Sequence, residues 1–249
     1  MLILCTNDDG YRALGLKVLA ESAEELGEVT IVAPEREQSA TSHSLTMHFP
    51  VRRHHISERM QSIEGTPTDC VALAVGMLLE RRPDFVLSGV NHGPNMGEDV
   101  LYSGTVAGAM EATILGIPAM AISYVGREPE EIVAYGPLLR RLLRQIVKRD
   151  SFPPETLLNV NLPAVDPAEV KGVRVTRLGR RVYTDSITRA EDPSGREYFW
   201  IGGGGVEWTA EEGTDFHAVQ AGYISVTPLH LDLTNYRLLS AVGEWGLHP

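Results

Sequence analysis

Apolar positions along the chain keep one rhythm for about the first 160 residues and another afterwards. Residues 2–5 (LILC) form an unbroken apolar run, the mark of a parallel strand buried on both faces, and stop at Asn7-Asp8-Asp9-Gly10. Leu14, Leu16, Val18, Leu19 and Ala23 then recur at helical spacing up to Gly27, a C-terminal stop. Residues 29–33 are a second apolar run, closed by Pro34. Strand, helix and strand in this order form a βαβ unit, which dictates parallel pairing and a right-handed crossover.

Residues 35–50 (EREQSATSHSLTMHFP) have no period and are rich in Ser, Thr and His, so they read as a long loop. Residues 51–63 suit short strands on an irregular edge. Thr66-Pro67-Thr68-Asp69 opens a helix running through Val71, Ala74 and Leu78, with proline in its first turn. Residues 85–87, 120–124 and 157–161 are further strands, and 128–148 an amphipathic helix with a basic end (Arg140, Arg141, Arg144, Lys148). After Pro163 the residues alternate over 173–178, 181–187 and 197–201, as in antiparallel strands, with turns at Asp192-Pro193-Ser194-Gly195 and at 202–205. Residues 222–228 return as a strand and 236–245 close the chain as a helix. The pattern predicts an α/β protein with a mainly parallel sheet over 1–163. Over 164–249 it predicts an antiparallel β-hairpin arm, a returning core strand and a C-terminal helix, the whole forming one structural domain.

One stretch stands apart. Residues 84–111 (DFVLSGVNHGPNMGEDVLYSGTVAGAME) read as strand, long polar loop and helix. Long loops without secondary structure of their own are uncommon in compact domains and are usually functional, although many are merely connections. Here glycines permit close backbone approach, and Ser103 or Thr105 caps a helix whose free amides favour an anion.

Composition narrows the partners. With 22 basic against 33 acidic residues the net charge is −11, which argues against a nucleic-acid polymer or a membrane surface as partner. A small anionic substrate stays open, because a metal ion reverses the sign of a site locally. Cys5 and Cys70 are too few for a disulfide framework, and no apolar run approaches the ~18 residues of a membrane span. A cytoplasmic protein is expected.

In open parallel sheets the ligand sits at the carboxyl ends of the strands, near a reversal of strand order. Three polar clusters share that address: Asp8-Asp9 after the first strand, Ser39 after the second, and Asn91 to Asn95 after a later one. Adjacent carboxylates repel unless a cation or a shared proton compensates, while on a solvated turn such a pair is usually inert. With Asn91 and Ser39 as neutral donors the set is all oxygen, which suits Mg²⁺, Mn²⁺ or Ca²⁺ rather than zinc. His43, His48, His54 and His55 lack ligand spacing and fit surface or substrate contacts. A divalent cation beside a helix N-terminus is what phosphate chemistry needs. The sequence contains no G-x-x-x-x-G-K-[ST], no G-x-G-x-x-G after the first strand and no G-x-S-x-G, which weighs against P-loop, dinucleotide-binding and α/β-hydrolase readings.

The opening MLILCTNDDG, the central SGVNHGPNMGEDVLYSGTVAGAMEA and the late GYISVTPLHLDLT resemble, in order and spacing, the three signatures of the SurE family of 5′(3′)-nucleotidases. The resemblance covers essentially the whole chain. It implies a Rossmann-like three-layer core with an extended β arm that serves oligomerisation, a swapped homodimer that often pairs into a homotetramer, and a metal-dependent phosphomonoesterase. Nucleoside 5′- and 3′-monophosphates are the implied substrates, with short polyphosphate a further candidate. Carried over by position, the metal ligands are Asp8, Asp9, Ser39 and Asn91, holding one Mg²⁺ or Mn²⁺. The phosphate contacts are Asn95, Ser103, Gly104 and Thr105, and the catalytic carboxylates Asp8 and Asp9. His230, Asp232 and Asp215 lie in or near the late motif, where a structural role is as fitting as a catalytic one. A non-catalytic nucleotide or polyphosphate sensor with the same fold is the alternative from another class; a metal-dependent amide or ester hydrolase is a third.

Overall fold

In the computed structural model, which describes residues 1–147, 152–183, 187–201, 206–209 and 211–247, the apolar runs become strands of one large sheet. In chain order the elements are β1 (Leu2–Thr6), α1 (Leu14–Ala23), β2 (Glu28–Pro34), β3 (Arg53–Ser57), β4 (Met60–Ile63), α2 (Pro67–Leu73), β5 (Phe85–His92), α3 (Gly104–Ile114), β6 (Ala119–Tyr124), α4 (Gly136–Val147) and β7 (Thr156–Leu162). Then come β8 (Val173–Val175), β9 (Arg181–Tyr183), β10 (Ile187–Glu191), β11 (Glu197–Ile201), β12 (Val206–Trp208), α5 (Asp215–Gln220), β13 (Ile224–His230) and α6 (Leu239–Gly243).

Nine strands are ordered β3-β4-β2-β1-β5-β6-β7-β13-β8. The six central strands β4-β2-β1-β5-β6-β7 pair in parallel, while β3 and β13 each run antiparallel to a neighbour. Helices α1 and α4 cover one face, over Ile3, Leu16, Leu19, Leu139 and Leu143. Helices α2 and α3 cover the other, over Leu4, Val71, Val106 and Ala109. This is a three-layer α/β fold. Burial on both faces is why β1 could be read as a run without alternation. The chain leaves β1 toward β2 on one side and returns as β5 on the other, so strand order reverses at β1/β5. Their carboxyl ends therefore open a crevice.

Beyond Pro163, β13 and β8 extend the same sheet, so residues on both sides of this point share it. The arm contains the β10–β11 hairpin, paired from Ile187↔Ile201 to Glu191↔Glu197. Its turn is held by Asp192, whose carboxylate accepts from the backbone of Ser194 (2.8 Å) and from Arg196. The turn expected at 202–205 lies outside the described residues.

Four elements differ from the sequence pattern. Residues 173–178, expected as an antiparallel strand of the arm, give β8, which pairs in parallel with β13 at the edge of the main sheet. The helix expected over 128–148 is a 3₁₀ stretch (Pro129–Tyr135) followed by α4. Pro137 has no N–H to donate back to the preceding turn, so the α ladder restarts there with proline in its first turn, while Lys148 lies outside the described residues. The helix expected through Leu78 ends as α at Leu73 and widens into a π turn over Ala74–Leu78. The closing helix is short, a 3₁₀ turn (Tyr236–Leu238) leading into α6, and its residues are largely exposed.

Candidate active site at the β1/β5 crevice

Asp8 and Asp9 follow directly on β1, where the strand leaves the sheet at the crevice. Asp8 is 4% exposed and accepts a hydrogen bond from the Thr105 hydroxyl in the first turn of α3. Gly104 makes this approach possible, since a Cβ there would lie 2.8 Å from the Asp8 Cβ and 3.0 Å from its Oδ2. Ser103 is the N-cap of α3, its Oγ accepting from the Val106 N–H at 3.0 Å. The amides of the first turn, those of Gly104 and Thr105 among them, have no partner within the helix, so its positive end faces the aspartates.

Asp9 is tied to the end of β5, where the His92 N–H donates to its Oδ2 at 3.2 Å. Beside it, the Asn91 amide donates to the Gly93 carbonyl at 2.8 Å, which leaves the side-chain oxygen of Asn91 for another partner. The loop carrying Ser39 also reaches the first aspartate: the Gln38 N–H donates to the Asp8 carbonyl at 2.7 Å. Ser39 itself is exposed, and its hydroxyl is engaged by Glu37 at 2.7 Å.

The electrostatics favour a cation. Burial pushes the Asp8 carboxyl above its usual range, although the Thr105 hydroxyl opposes the shift. Burial, and then the charge of Asp8, push Asp9 up to about 6. Apart from His92, which lowers Asp9 slightly, the charged groups acting on the pair are acidic, Glu37 among them. Asn7 adds an orphan: its Nδ2 donates to the Gly10 carbonyl at 3.0 Å, while its buried Oδ1 has no partner. Two crowded carboxylates and neutral side-chain oxygens, with no lysine or arginine among the described groups that shift the pair, are the donor chemistry of a hard divalent cation. The residues present fit such an ion. Among the described residues, the His/carboxylate cluster with ligand atoms close together is elsewhere, at Glu35, His54 and Glu64 near the β3–β4 edge. There Glu64 is already bound by His54 at 3.0 Å and by Arg52 at 3.3 Å.

Asn95 is also buried, 7% exposed, in the loop between β5 and α3. Its backbone N–H donates to Asn161 Oδ1 at 2.9 Å, and its carbonyl accepts from the side chains of Asn159 (2.8 Å) and Asn161 (2.9 Å). Its own Nδ2 donates to Ser123 Oγ at 2.8 Å, leaving the amide oxygen over. A family model described as "Survival protein SurE" matches residues 3–185. The chain belongs to the SurE family.

The relatives agree over full length. A protein called 5′-nucleotidase SurE from Gemmatimonas aurantiaca is 58% identical over 252 residues, covering 100% of both chains. One of the same name from Geobacter metallireducens is 50% identical, covering 98% of this chain and 97% of its own. The crystal structure of the SurE protein from Aquifex aeolicus superposes with a TM-score of 0.87 at 44% identity, covering 97% of this chain and 98% of that one.

This SurE-family chain thus brings Asp8, Asp9, Asn91, Gly104 and Thr105 together, with Ser103 capping the same helix and Asn95 held in the same loop by β6 and β7. Ser39 sits on a loop that touches Asp8, with its side chain turned to Glu37. Sequence reasoning missed the supports of Asn95. The signal was present in β7 (TLLNVNL), where Asn159 and Asn161 put two polar groups on one face of an otherwise apolar strand.

Proposed function

We propose that this SurE-family chain is a metal-dependent 5′-nucleotidase, a phosphomonoesterase that hydrolyses nucleoside 5′- and 3′-monophosphates to nucleoside and phosphate. The observation that carries the reading is the adjacent Asp8–Asp9 pair, Asp8 buried and Asp9 half-buried, with Asp8 bound by the Thr105 hydroxyl at the N-terminus of α3. The names of the full-length relatives support it. Asp8, Asp9, Asn91 and Ser39 would hold one divalent cation, Mg²⁺ or Mn²⁺. When bound, it supplies positive charge that polarises a phosphoryl oxygen and acidifies water. Thr105 orients Asp8 by its hydrogen bond. The first-turn amides of α3, with Ser103 and Asn95, receive the phosphoryl oxygens and stabilise the charge that gathers on them. Asp8 or Asp9 would serve as the base that takes a proton from the attacking water.

Self-association belongs to the same proposal. Tyr198, Phe199, Trp200 and Ile201 of the arm and Leu233, Tyr236 and Trp245 of the tail are exposed, more apolar surface than a monomer usually leaves bare. Light scattering at micromolar concentration should give at least a dimer mass. Among the described residues no helix is long and apolar enough to cross a membrane. Cys5 and Cys70 are buried free thiols, which suits the cytoplasm.

The test of function is phosphate release from a panel of nucleoside 5′- and 3′-monophosphates after EDTA treatment and then with Mg²⁺ or Mn²⁺. Metal-restored release, inhibited by vanadate, is expected. Binding of the same nucleotides without release under any metal would instead establish a sensor.

A further inference from the structure

The site loop is gripped from the start of α5 by a residue that the chemistry above does not use. Asp215, at the start of α5, is fully buried, and its carboxylate accepts three backbone N–H groups. Oδ2 takes Gly97 at 2.9 Å, while Oδ1 takes Gly179 and Phe216, both at 2.8 Å. One carboxylate therefore joins the site loop, the base of the arm and α5, across 118 residues of sequence in the case of Gly97. The fit around Gly97 is close. Its φ is +55°, and a Cβ there would lie 2.8 Å from both the Gly179 carbonyl oxygen and the Trp208 ring, which itself stacks on Phe216 at 5.1 Å. The next two residues are held by Arg181, whose N–H donates to Glu98 at 2.8 Å and whose guanidinium pairs with Asp99 at 2.5 Å. From Asp99 the order passes to the helix cap, because its carbonyl accepts the N–H groups of Tyr102 and Ser103 at 3.0 and 3.2 Å.

We propose that Asp215 is a positioning residue for phosphate handling: by fixing Gly97 it sets Asn95 on one side and Ser103–Thr105 on the other. The proposal deepens the nucleotidase reading and rests on it. Small displacements of groups that must meet developing charge cost far more rate than stability. A buried carboxylate spent on loop amides is suited to prevent them.

The carboxylate's asymmetry gives a selective test. In Asp215→Asn the remaining oxygen keeps two bonds if it faces Gly179 and Phe216, so the amide NH₂ is turned on the Gly97 N–H and that anchor alone is lost. Gly97→Ala disturbs the same contact from the loop side. Thr214→Ala, which removes the N-cap bond from the His217 N–H to Thr214 Oγ1, weakens α5 without touching Gly97. For each full-length variant with Mn²⁺, kcat and KM for a nucleoside 5′-monophosphate, calorimetric Kd for inorganic phosphate and thermal midpoint are measured. Asp215→Asn and Gly97→Ala should lose about 10- to 100-fold in kcat and weaken phosphate binding in parallel. Thr214→Ala should lower the midpoint and leave both per folded molecule unchanged. Wild-type kcat and phosphate Kd in Asp215→Asn, or losses that follow the folded fraction as in Thr214→Ala, would overturn the proposal and leave the nucleotidase reading intact. A wild-type protein that releases no phosphate would sink the nucleotidase reading, and the phosphate Kd would still decide the role of Asp215.

Discussion

Two long polar loops border the crevice, and they differ in how far they are buried. The loop of residues 93–103 is anchored by its own backbone: Asn95 to β7, Gly97 to Asp215, and the Ser103 N–H to the Asp99 carbonyl. The loop of residues 35–50 combines backbone bonds, Gln38 to Asp8 and Ser42 to Tyr102, with side-chain ties, Thr46 on Asp69 (2.6 and 2.8 Å) and His43 on Glu111 (2.9 Å). It leaves Leu45, Met47 and Phe49 exposed, Met47 at 81%. A loop pinned by buried backbone bonds keeps its polar groups where charge will develop, and a loop with much of its length exposed is freer to adjust when an ion or substrate arrives. The first suits phosphate contacts. The second suits Ser39, the one expected ligand whose side chain is turned elsewhere, to Glu37.

The largest effect should come where the two loops meet. Asp9→Asn should lower kcat by about 100- to 1,000-fold or more, measured as phosphate release with saturating Mn²⁺. The same substitution should stabilise the metal-free protein. The folded pKa of Asp9 is above its unfolded value, so its charged form destabilises the fold, increasingly as pH rises from about 4 to about 6 and fully above that. The melting midpoint of the variant should therefore exceed that of the parent at pH 8 in EDTA, with the difference gone below pH 4.

Thr105→Val keeps the shape and removes the donor to Asp8, so activity should fall about 10- to 100-fold, as for other outer partners of metal ligands. The contrast between the loops then predicts unequal stability effects. Asn161→Ala leaves the buried Asn95 N–H without an acceptor and should cost about 1–3 kcal/mol in urea unfolding. Ser39→Ala should change stability by less than about 0.5 kcal/mol, yet weaken calorimetric Mn²⁺ binding severalfold. Equal stability losses at the two positions would erase the distinction between the loops. The mildest expectation concerns pH: metal binding displaces the proton held by Asp9, so Mn²⁺ affinity should rise between pH 5 and 7 and level off above.

What could be read without coordinates was whatever depends on local pattern. Continuous apolar runs give buried parallel strands, and the glycine- and asparagine-rich stretch before Ser103 marks a functional loop with a helix cap behind it. Asp8, Asp9, Asn91 and Thr105 converge because two strand ends and one helix start share a crevice, and topology rules place that crevice. Contacts whose partners are far apart in sequence were not legible. Asn159 and Asn161 show as polar residues in an apolar strand, but nothing local says that their target is a backbone 64 to 66 residues away. Asp215 is a single acid after Gly213-Thr214, and its grip on Gly97 needs the arm folded back against the core. The restart at Gly136-Pro137 was visible as a dipeptide, yet the amphipathic period ran across it and hid the break.

The most direct test is a Mn²⁺ titration of EDTA-stripped protein, following phosphate release from a nucleoside 5′-monophosphate for the parent chain and Asp9→Asn side by side. A cation held by the aspartates predicts activity that is absent without metal and saturates at about one Mn²⁺ per subunit. It also predicts a variant that stays inactive throughout. Phosphate release that survives exhaustive chelation, or an Asp9→Asn protein that turns over at the parental rate, would contradict it.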